Sequence, residues 1–392
     1  MKKLLMILPL ALTLCFIVGC QGKKANVEKF TEDGVEVVQN FSLYENKSEY
    51  PVLSQILSID TENDELAEYG LSDIWGFDVN LSGDIFIFNS PLSQEGLILK
   101  FNGTGEFIKS FGRRGQGPGE IQLPLYQKIN LINEVSVLDF GGQKLIVFDE
   151  FGDIVREFKP GIRIFDRGIL LPLTKGNYLY RNLEMDESRE SISLVLFLID
   201  SKLEEIAELG RISIENPRLA TQFTYPYPVL TWGLSSMHIF VGLEEKGYDI
   251  HVYDFEGQLI RKIRKKYTKV PFSEESRRQA LKRWENYGSI SEKIVTPGYN
   301  PPFQHLFADE LGRLFVVTFE PGNNEGEYMT DVFDTDGVLS SRLSLRLHLN
   351  KNVFLPDGHW DSWVTAKKNI LYCIHEKESG HKKLVAYKIA WE

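Results

Sequence analysis

Cysteine is nearly absent from this chain, which has three cysteines in 392 residues. Cys15 and Cys20 lie in the N-terminal segment 1-MKKLLMILPLALTLCFIVGC-20, and Cys373 lies in the apolar run 370-ILYCI-374. If the N-terminal segment is an export signal, Cys373 is the only thiol of the folded part. An internal disulfide and a cysteine metal cluster are then excluded, and Cys373 is predicted to be a small buried hydrophobe.

Long hydrophobic runs are scarce as well, and the one at the N-terminus is short. Residues Leu4 to Val18 are apolar and follow two lysines. Fifteen residues are too few to span a bilayer comfortably, which favours a signal peptide over residues 1–19.

The end of this signal, Ile17-Val18-Gly19-Cys20, resembles the bacterial lipobox. The resemblance implies cleavage before Cys20 and lipidation of its thiol, so residues 20–51 are predicted to be a lipid anchor and tether. Gln21 after the cysteine favours the outer membrane, and a tether without an acidic run favours the periplasmic leaflet over surface display. The alternative is an ordinary signal peptide with an incidental cysteine.

Positive charge is also in deficit. The chain has 44 Lys and Arg against 55 Asp and Glu, for a net charge of −11 at pH 7. A net acidic chain is a poor candidate for nucleic-acid binding, because phosphate backbones are recognised by clustered cations. Nucleic acid is therefore excluded as a predicted partner.

What the sequence does have is a repeated hairpin pattern. A strand ends in Phe or Tyr, an Asn or Asp follows, a Gly stands three residues later, and a second strand begins. One copy departs from this pattern: 197-FLIDSKLEEIAEL-209 has Leu203 in place of the glycine, so a different turn is expected there. The regular copies are 99-LKFNGTGEFIKSF-111, 146-IVFDEFGDIVREF-158, 251-HVYDFEGQLIRKI-263 and 331-DVFDTDGVLSSRL-343.

Another hairpin precedes each copy, so the repeating unit has four strands in about fifty residues, which is typical of a propeller blade. A sixth copy begins at 384-LVAYKIA-390 but lacks a second strand, whereas 52-VLSQILSID-60 is a spare strand near the other end. Pairing the two would close the ring and remove an exposed edge. The sequence predicts an all-β, six-bladed β-propeller over residues 52–392, with four-stranded antiparallel blades.

The glycine-rich stretch 111-FGRRGQGPGE-120 joins the first two predicted blades. It lacks the Lys-Ser or Lys-Thr of a phosphate-binding loop, and the segment after it reads as a strand and not as a helix. We therefore predict a blade connector. Arg113 and Arg114 are predicted at the rim of the central funnel, where they would meet a polar or anionic ligand.

One insertion, about residues 264–303, separates predicted blades four and five. Ser273 is positioned as the N-cap of a helix that would end near Gly288. Such a helix would cover the funnel or dock a partner.

The F-D-x-x-G turns together with FGRRGQGPGE resemble the NHL-repeat-like six-bladed propellers, and in particular the six-bladed β-propeller lipoproteins of Bacteroidetes. The resemblance covers about residues 52–392. It implies a fold and a location in the cell envelope more than it implies a chemistry. The turn in blade three and the single copy of the glycine-rich stretch depart from the pattern.

The inner strands of a propeller line its funnel, so their aromatic and polar residues are the candidate ligand-binding residues. Aromatic rings with a few polar groups suit sugars or peptides, although such rings also pack between blades. No local string of metal ligands and no G-x-S-x-G nucleophile occurs, so no cofactor is predicted, and an axial Ca²⁺ or Zn²⁺ stays open. The candidates are Trp75, Tyr126, Arg167, Trp232, His305 and Trp363.

These observations predict a lipid-anchored protein of the cell envelope whose propeller binds a ligand or another protein. The expected partners are the membrane, through the anchor, and a polar small molecule, glycan, peptide or envelope protein. The alternative is a lactonase-like propeller hydrolase or lyase with an axial metal, which rests on fold analogy alone.

Overall fold

A computed structural model describes residues 26–43, 51–93, 95–160, 169–173, 176–228, 230–347 and 363–391. The predicted signal peptide, Cys20 and Arg167 lie outside these ranges. In the described ranges the chain begins with a hairpin, followed by a long strand and a short helix. These are β1 (Val27–Glu32), β2 (Val35–Asn40), β3 (Pro51–Asp60) and α1 (Asp64–Glu68).

The first three blades are consecutive four-stranded antiparallel sheets, each starting at the ring axis and ending at the perimeter. Blade one has strands β4 (Gly76–Val79), β5 (Ile85–Phe88), β6 (Glu95–Phe101) and β7 (Phe107–Arg113). Blade two has β8 (Pro124–Ile129), β9 (Val135–Asp139), β10 (Lys144–Phe148) and β11 (Ile154–Phe158). Blade three has β12 (Ile169–Pro172), β13 (Tyr178–Met185), β14 (Ser191–Ile199) and β15 (Glu205–Glu215).

The other three blades continue the ring. A short strand, β16 (Phe223–Thr224), precedes blade four, which has β17 (Leu230–Leu234), β18 (Ile239–Leu243), β19 (Asp249–Tyr253) and β20 (Leu259–Lys265). Then follow α2 (Glu274–Trp284), β21 (Ile294–Val295) and blade five, with β22 (His305–Ala308), β23 (Leu314–Pro321), β24 (Tyr328–Phe333) and β25 (Leu339–Leu345). The last strands are β26 (Val364–Lys367), β27 (Ile370–Glu376) and β28 (Lys382–Trp391). The predicted six-bladed propeller is confirmed.

Sequence composition explains the order of strands within a blade. Inner strands such as β5, with the sequence IFIF, are buried at every position, because both faces of the sheet pack against neighbouring blades. Outer strands such as β7 have mostly exposed side chains.

The turn between the third and fourth strand of a blade is held by its Asn or Asp. In blade two, Asp149 Oδ1 accepts the N–H groups of Phe151 and Asp153, both at 2.9 Å. Gly152 has φ of 85°, and a Cβ there would lie 2.6 Å from the Phe111 ring of blade one. The glycine therefore serves both the turn and the packing between blades.

In blade three the expectation of a different turn is wrong. Asp200 Oδ1 accepts the N–H groups of Lys202 and Glu204 at 2.8 and 2.9 Å, as its counterpart does in blade two. Leu203 adopts φ of 67°, in the left-handed region that leucine normally avoids. Its side chain packs against the apolar cluster between blades, which offsets the backbone strain.

The ring closes as predicted, through a strand from the N-terminal side. Strand β3 pairs antiparallel with β28, from Lys383 opposite Asp60 to Trp391 opposite Pro51. Blade six therefore consists of β26, β27, β28 and β3. Ile59 and Leu384 are buried where the two segments meet.

Part of the predicted tether, residues 20–51, has a different structure. The β1–β2 hairpin adds to the outer edge of blade four, because β2 pairs in parallel with β20 and makes a six-stranded sheet. Glu32 accepts hydrogen bonds from Arg264 and Lys262 at 2.6 to 2.8 Å. Buried Asn40 donates to Gly337 O at 3.0 Å and accepts from Leu339 N at 2.8 Å, which links the hairpin to blade five.

The insertion between blades four and five contains the predicted helix. Ser273 caps it by accepting the N–H of Ser276 at 3.0 Å, but the helix ends at Trp284, earlier than expected. The insertion packs against the connector between blades three and four, where β16 pairs in parallel with β21. The Phe223 and Trp284 rings lie 5.5 Å apart in the apolar cluster between these segments. No helix in the described ranges is long and apolar enough to cross a membrane.

Two truncations separate ring closure from the added hairpin. Deleting residues 21–60 removes β3, so we expect the edge of β28 to become exposed and the protein to aggregate or melt at a lower temperature. Deleting residues 21–49 removes only the hairpin and leaves the pairing of β3 with β28 in place. Size-exclusion chromatography and thermal melting would measure both. A monomeric 21–60 deletion that melts like the full chain would contradict closure by β3.

Candidate functional site

The meander of four strands gives the ring two faces. The turns between strands one and two and between strands three and four lie at the same end of every blade, which we name the turn face. The loops between strands two and three and the connectors between blades lie at the opposite end, which we name the connector face. The two faces present different residues to solvent.

A small cavity lies on the ring axis towards the turn face, with a volume of about 60 Å³. All six inner strands contribute to its walls. One water needs roughly 10–15 Å³, and a pocket for a whole drug-sized ligand has roughly 300–1,000 Å³. The cavity therefore has room for one functional group and not for a complete ligand. Its polar and aromatic walls include Asp78, Lys128, Trp232, His305, Thr365 and Lys367.

Asp78 is the acidic group in the wall, and its oxygens are already engaged. One oxygen accepts the N–H of Val79 at 2.8 Å, and the other accepts the N–H of Ile129 at 2.9 Å. Lys128 Nζ lies 3.4 Å from the second oxygen. Asp78 thus braces the inner strand of blade one against that of blade two.

Lys367 is the second cation in the wall. Within the described ranges its Nζ makes no salt bridge or hydrogen bond, in contrast with Lys128. Burial lowers the pKa of Lys367, and Lys128 lowers it further, whereas Asp78, Glu310 and Asp309 act in the opposite direction. The half-buried lysine therefore has no ion pair within 4 Å among the described residues, although three carboxylates offset its charge at longer range.

His305 adds a neutral ring to the same wall. Its Nδ1 lies 3.2 Å from Thr231 Oγ1, and its Nε2 has no hydrogen-bond partner in the described part of the chain. Burial, with a contribution from the charge of Lys128, lowers the pKa of His305 to about 3, so the imidazole is neutral at pH 7. Trp232 Nε1 is likewise buried without a partner among the described residues.

The cavity fits an axial metal poorly. The described residues include no group of three or more His, Cys, Asp or Glu that could hold a metal ion. Asp78 already binds two N–H groups and a lysine, and Lys367 would repel a cation. Calcium and zinc need several carboxylate or imidazole ligands in one place. The walls instead present hydrogen-bond donors and positive charge.

The predicted candidates are divided among three places. Trp232 and His305 line the axial cavity, as expected of funnel residues. Trp75 and Trp363 lie at the connector face, on either side of Lys382, whose Nζ is 6.0 and 5.7 Å from their ring centres. Tyr126 does not line the cavity and is buried in the apolar cluster that runs through blades two to four, to which Trp232 also belongs.

Arg113 and Arg114 do not lie at the funnel rim. Arg113 ends β7, the outermost strand of blade one, and its exposed side chain pairs with Glu120 at 2.6 Å. It lines a groove of about 400 Å³ between blades one and two, at the perimeter of the ring. Arg114 forms a bridge with Ile121 inside the same loop. The connector reaches the axis only at β8, so its first residues stay at the perimeter.

The glycine-rich stretch binds carboxylates of the protein itself. Gly117 N donates to Glu120 Oε2 at 2.8 Å, and Gly119 N donates to Glu157 Oε2 at 2.5 Å. Lys144 Nζ joins Glu157 at 3.0 Å and also reaches Gly117 O. The loop N–H groups that an anion would need are thus occupied, which favours the connector interpretation.

Sequence reasoning missed Asp78, Lys128 and Lys367. Each is a charged residue inside a short inner strand, in the segments GFDV, YQKI and VTAK. A charge in a strand that is buried on both faces requires a partner or a function. That rule could have identified them once the inner strands were known.

The comparisons with known proteins agree with this architecture. Residues 57–225 match the family DUF5128, described as a 6-bladed beta-propeller. No curated protein matches the chain. A candidate exported protein of Bacteroides fragilis is similar in structure, with a TM-score of 0.50 and 12% identity over 90% of this chain and 99% of that one. At such identity the similarity shows the fold alone.

Two further solved structures score lower. A DUF4221 protein of Bacteroides vulgatus has a TM-score of 0.48 at 12% identity, covering 88% of this chain and 100% of that one. Virginiamycin B lyase of Staphylococcus aureus has a TM-score of 0.36 at 10% identity, covering 87% and 100%.

The two loop glycines should respond differently to substitution. Gly119 has φ of 71°, whereas Gly117 lies outside the left-handed region. Gly119→Ala is expected to destabilise the protein by about 1–2 kcal/mol, the cost of a left-handed alanine. Gly117→Ala is expected to cost less, because only the flexible Glu120 side chain must move away from the new methyl group. Denaturant unfolding would compare them, and equal losses would contradict this account.

Proposed function

We propose that this protein is an exported, lipid-anchored protein of the cell envelope whose propeller binds a polar ligand at the turn-face mouth of the axial channel. The observation that carries the proposal is the set of unpartnered groups in the cavity wall. Trp232 Nε1 and His305 Nε2 are buried without partners among the described residues. Buried polar groups are costly when they are unpaired, so their presence together supports a binding role.

The size of the cavity narrows the kind of ligand. A volume of about 60 Å³ admits the end of a molecule, while the rest of the ligand would lie across the turn face. Small polar molecules, glycans and peptides can all bind in this way, as can a loop of an envelope protein. Trp232 supplies the aromatic surface that suits sugars and peptides.

The alternative function is a hydrolase or lyase of the lactonase type with an axial Ca²⁺ or Zn²⁺. Its support is that six-bladed propellers host such reactions, which is an analogy of fold. The composition of the described cavity wall counts against it. Metal analysis of the purified full chain tests it directly, since a stoichiometric ion would favour the enzyme over the binding module.

The path of the chain relates the proposed anchor to the binding face. Asn26 O accepts the N–H of Phe41, and Lys266 N donates to Asn40 O at 2.8 Å, so the first described residue lies at the connector end of blade four. Five residues lie between Cys20 and Asn26, and the six Cα–Cα steps reach at most about 22 Å. A lipid on Cys20 would thus tether the connector-face side and leave the cavity mouth directed away from the membrane.

Membrane attachment is expected to depend on Cys20. Cys20→Ala should move the protein from the membrane fraction to the soluble fraction of the envelope, because acyl chains supply the attachment. Cys15→Ala is the matched control, since Cys15 would be removed with the signal peptide. Immunoblotting of both fractions measures the outcome. Retention of the Cys20→Ala protein in the membrane would contradict lipidation.

Ligand binding is expected to depend on the cavity mouth. Half-buried Leu131 lines the cavity, whereas its neighbour Ile132 is exposed and does not. Leu131→Trp should obstruct the mouth and weaken any ligand found by calorimetric screening of envelope glycans and peptides. Ile132→Trp is the matched control in the same turn. Equal affinity of both variants and the wild type would place binding elsewhere.

A further inference from the structure

We infer that the end of the propeller nearest the proposed anchor carries a patch that binds the anionic headgroups of phospholipids. The inference rests on the proposed function, because it specifies how the protein would lie on the membrane to which Cys20 attaches it. The acyl chains would supply the attachment, and the patch would fix the orientation of the ring. We name this surface the anchor-side patch; its residues are Phe41, Lys266, Lys269 and Tyr299.

The patch adjoins the place where the tether enters the fold. Asn26 O accepts the N–H of Phe41 at 2.9 Å. Asn40 ends β2 and accepts the N–H of Lys266, which directly follows β20. These residues therefore lie side by side at the connector end of blade four. Because the chain from Cys20 to Asn26 reaches at most about 22 Å, a lipid on Cys20 would keep this end close to the membrane.

Packing directs the first lysine outward. Tyr267 packs against the apolar cluster between blades four and five, so its neighbours Lys266 and Thr268 are exposed. Lys269 is exposed as well. Within the described ranges neither Lys266 nor Lys269 has a carboxylate oxygen within 4 Å. Both ammonium groups are thus available to a phosphate group outside the protein.

Aromatic rings accompany the lysines. A backbone bridge between Pro271 and Tyr299 brings the Tyr299 ring beside Lys269, whose Nζ lies 5.6 Å from the ring centre. The side chains of Tyr299 and Phe41 are 53% and 41% exposed. Tyrosine and lysine are suited to a membrane surface, because the ring and the lysine stem contact apolar groups while the charge stays among the headgroups.

Local charge distinguishes this end from the rest of an acidic chain. Residues 266–272 contain two lysines and no acidic residue, and the tether residues 21–25, QGKKA, add two lysines and again no acid. The carboxylates that follow in α2 are paired, Glu274 with Arg277 and Glu275 with Arg278. Salt screens exposed charges beyond about 10 Å at 0.1 M, so the net charge of −11 would oppose this contact only weakly.

The test holds the chain on vesicles by its N-terminus without acylation. Cys20→Ala protein without the signal peptide carries a histidine tag before residue 20 and binds vesicles that contain a nickel-chelating lipid. A fluorophore is attached through Thr268→Cys, since Cys373 is buried. A nitroxide on a small fraction of the lipid headgroups quenches the fluorophore only at close range. The vesicles consist of phosphatidylcholine with or without phosphatidylglycerol.

We expect the fluorophore at residue 268 to be quenched at least about threefold more strongly when phosphatidylglycerol is present. The control fluorophore is attached through Glu256→Cys, in the turn at the opposite end of blade four. It should be quenched little in either kind of vesicle. Raising the salt concentration to 0.5 M should remove the effect of phosphatidylglycerol at residue 268, because the attraction is electrostatic.

Replacing both patch lysines isolates their contribution. Each lysine near an anionic surface strengthens the contact about fivefold, so Lys266→Gln with Lys269→Gln should weaken it about 25-fold and remove the effect of phosphatidylglycerol. Lys202→Gln with Lys388→Gln is the matched control, with the same change of charge at two exposed lysines remote from the patch. It should leave the quenching unchanged. Near-ultraviolet circular dichroism would verify that each variant is folded.

Two outcomes would overturn the inference: equal quenching with and without phosphatidylglycerol, or quenching that survives loss of both patch lysines. Either outcome would favour an envelope protein as the partner of this surface. Because the tag replaces the lipid, the result does not depend on acylation. If Cys20→Ala releases the protein from cell membranes but residue 268 is not quenched, the anchor stands and the patch fails. If the patch binds but Cys20→Ala releases nothing, the patch stands and lipidation fails.

Discussion

The pairing of β3 with β28 is the interaction on which the rest of the structure depends. Five blades are formed by consecutive strands, but blade six requires strands from both ends of the chain, in register from Lys383 opposite Asp60 to Trp391 opposite Pro51. Cys373 is buried and unpaired, so no disulfide in the described ranges helps to fasten the ring. Backbone hydrogen bonds and buried apolar side chains in this one sheet therefore hold the six inner strands at their common axis.

Closure also creates the chemistry of the axis. Asp78 in blade one and Lys367 in blade six are separated by most of the chain, yet they line one cavity because the first and last blades are neighbours. Buried charges and unpaired ring nitrogens lower stability unless something compensates them. A fold that keeps the unpartnered ring nitrogens of Trp232 and His305 buried near its axis departs from good packing at one place, as functional sites commonly do.

The architecture could be predicted because its determinants are local. Asp149 and Gly152 define a turn within a few residues, and the repeat of that turn reveals the blades. Prediction failed where the decisive interaction joins residues that are distant in sequence, or where another residue takes the place of the usual one. Leu203 occupies a glycine position because Asp200 holds the turn and interblade packing offsets the strain. Strand β1 is largely exposed, and the hairpin is held by β2, which pairs with β20 more than two hundred residues away.

The site could be predicted only in part, and the reason is geometric. Trp232 and His305 were identified because funnel residues must come from inner strands, but Tyr126 is on an inner strand too and lies only in the core, in the same cluster as Trp232. The charged residues of the cavity occupy different positions in their strands: Asp78 is third in β4, Lys128 is fifth in β8 and Lys367 is fourth in β26. When the blades are aligned, no single position of the repeat therefore identifies the cavity residues. These residues meet only because the six inner strands are shifted relative to one another along the ring axis. The closed ring determines that shift.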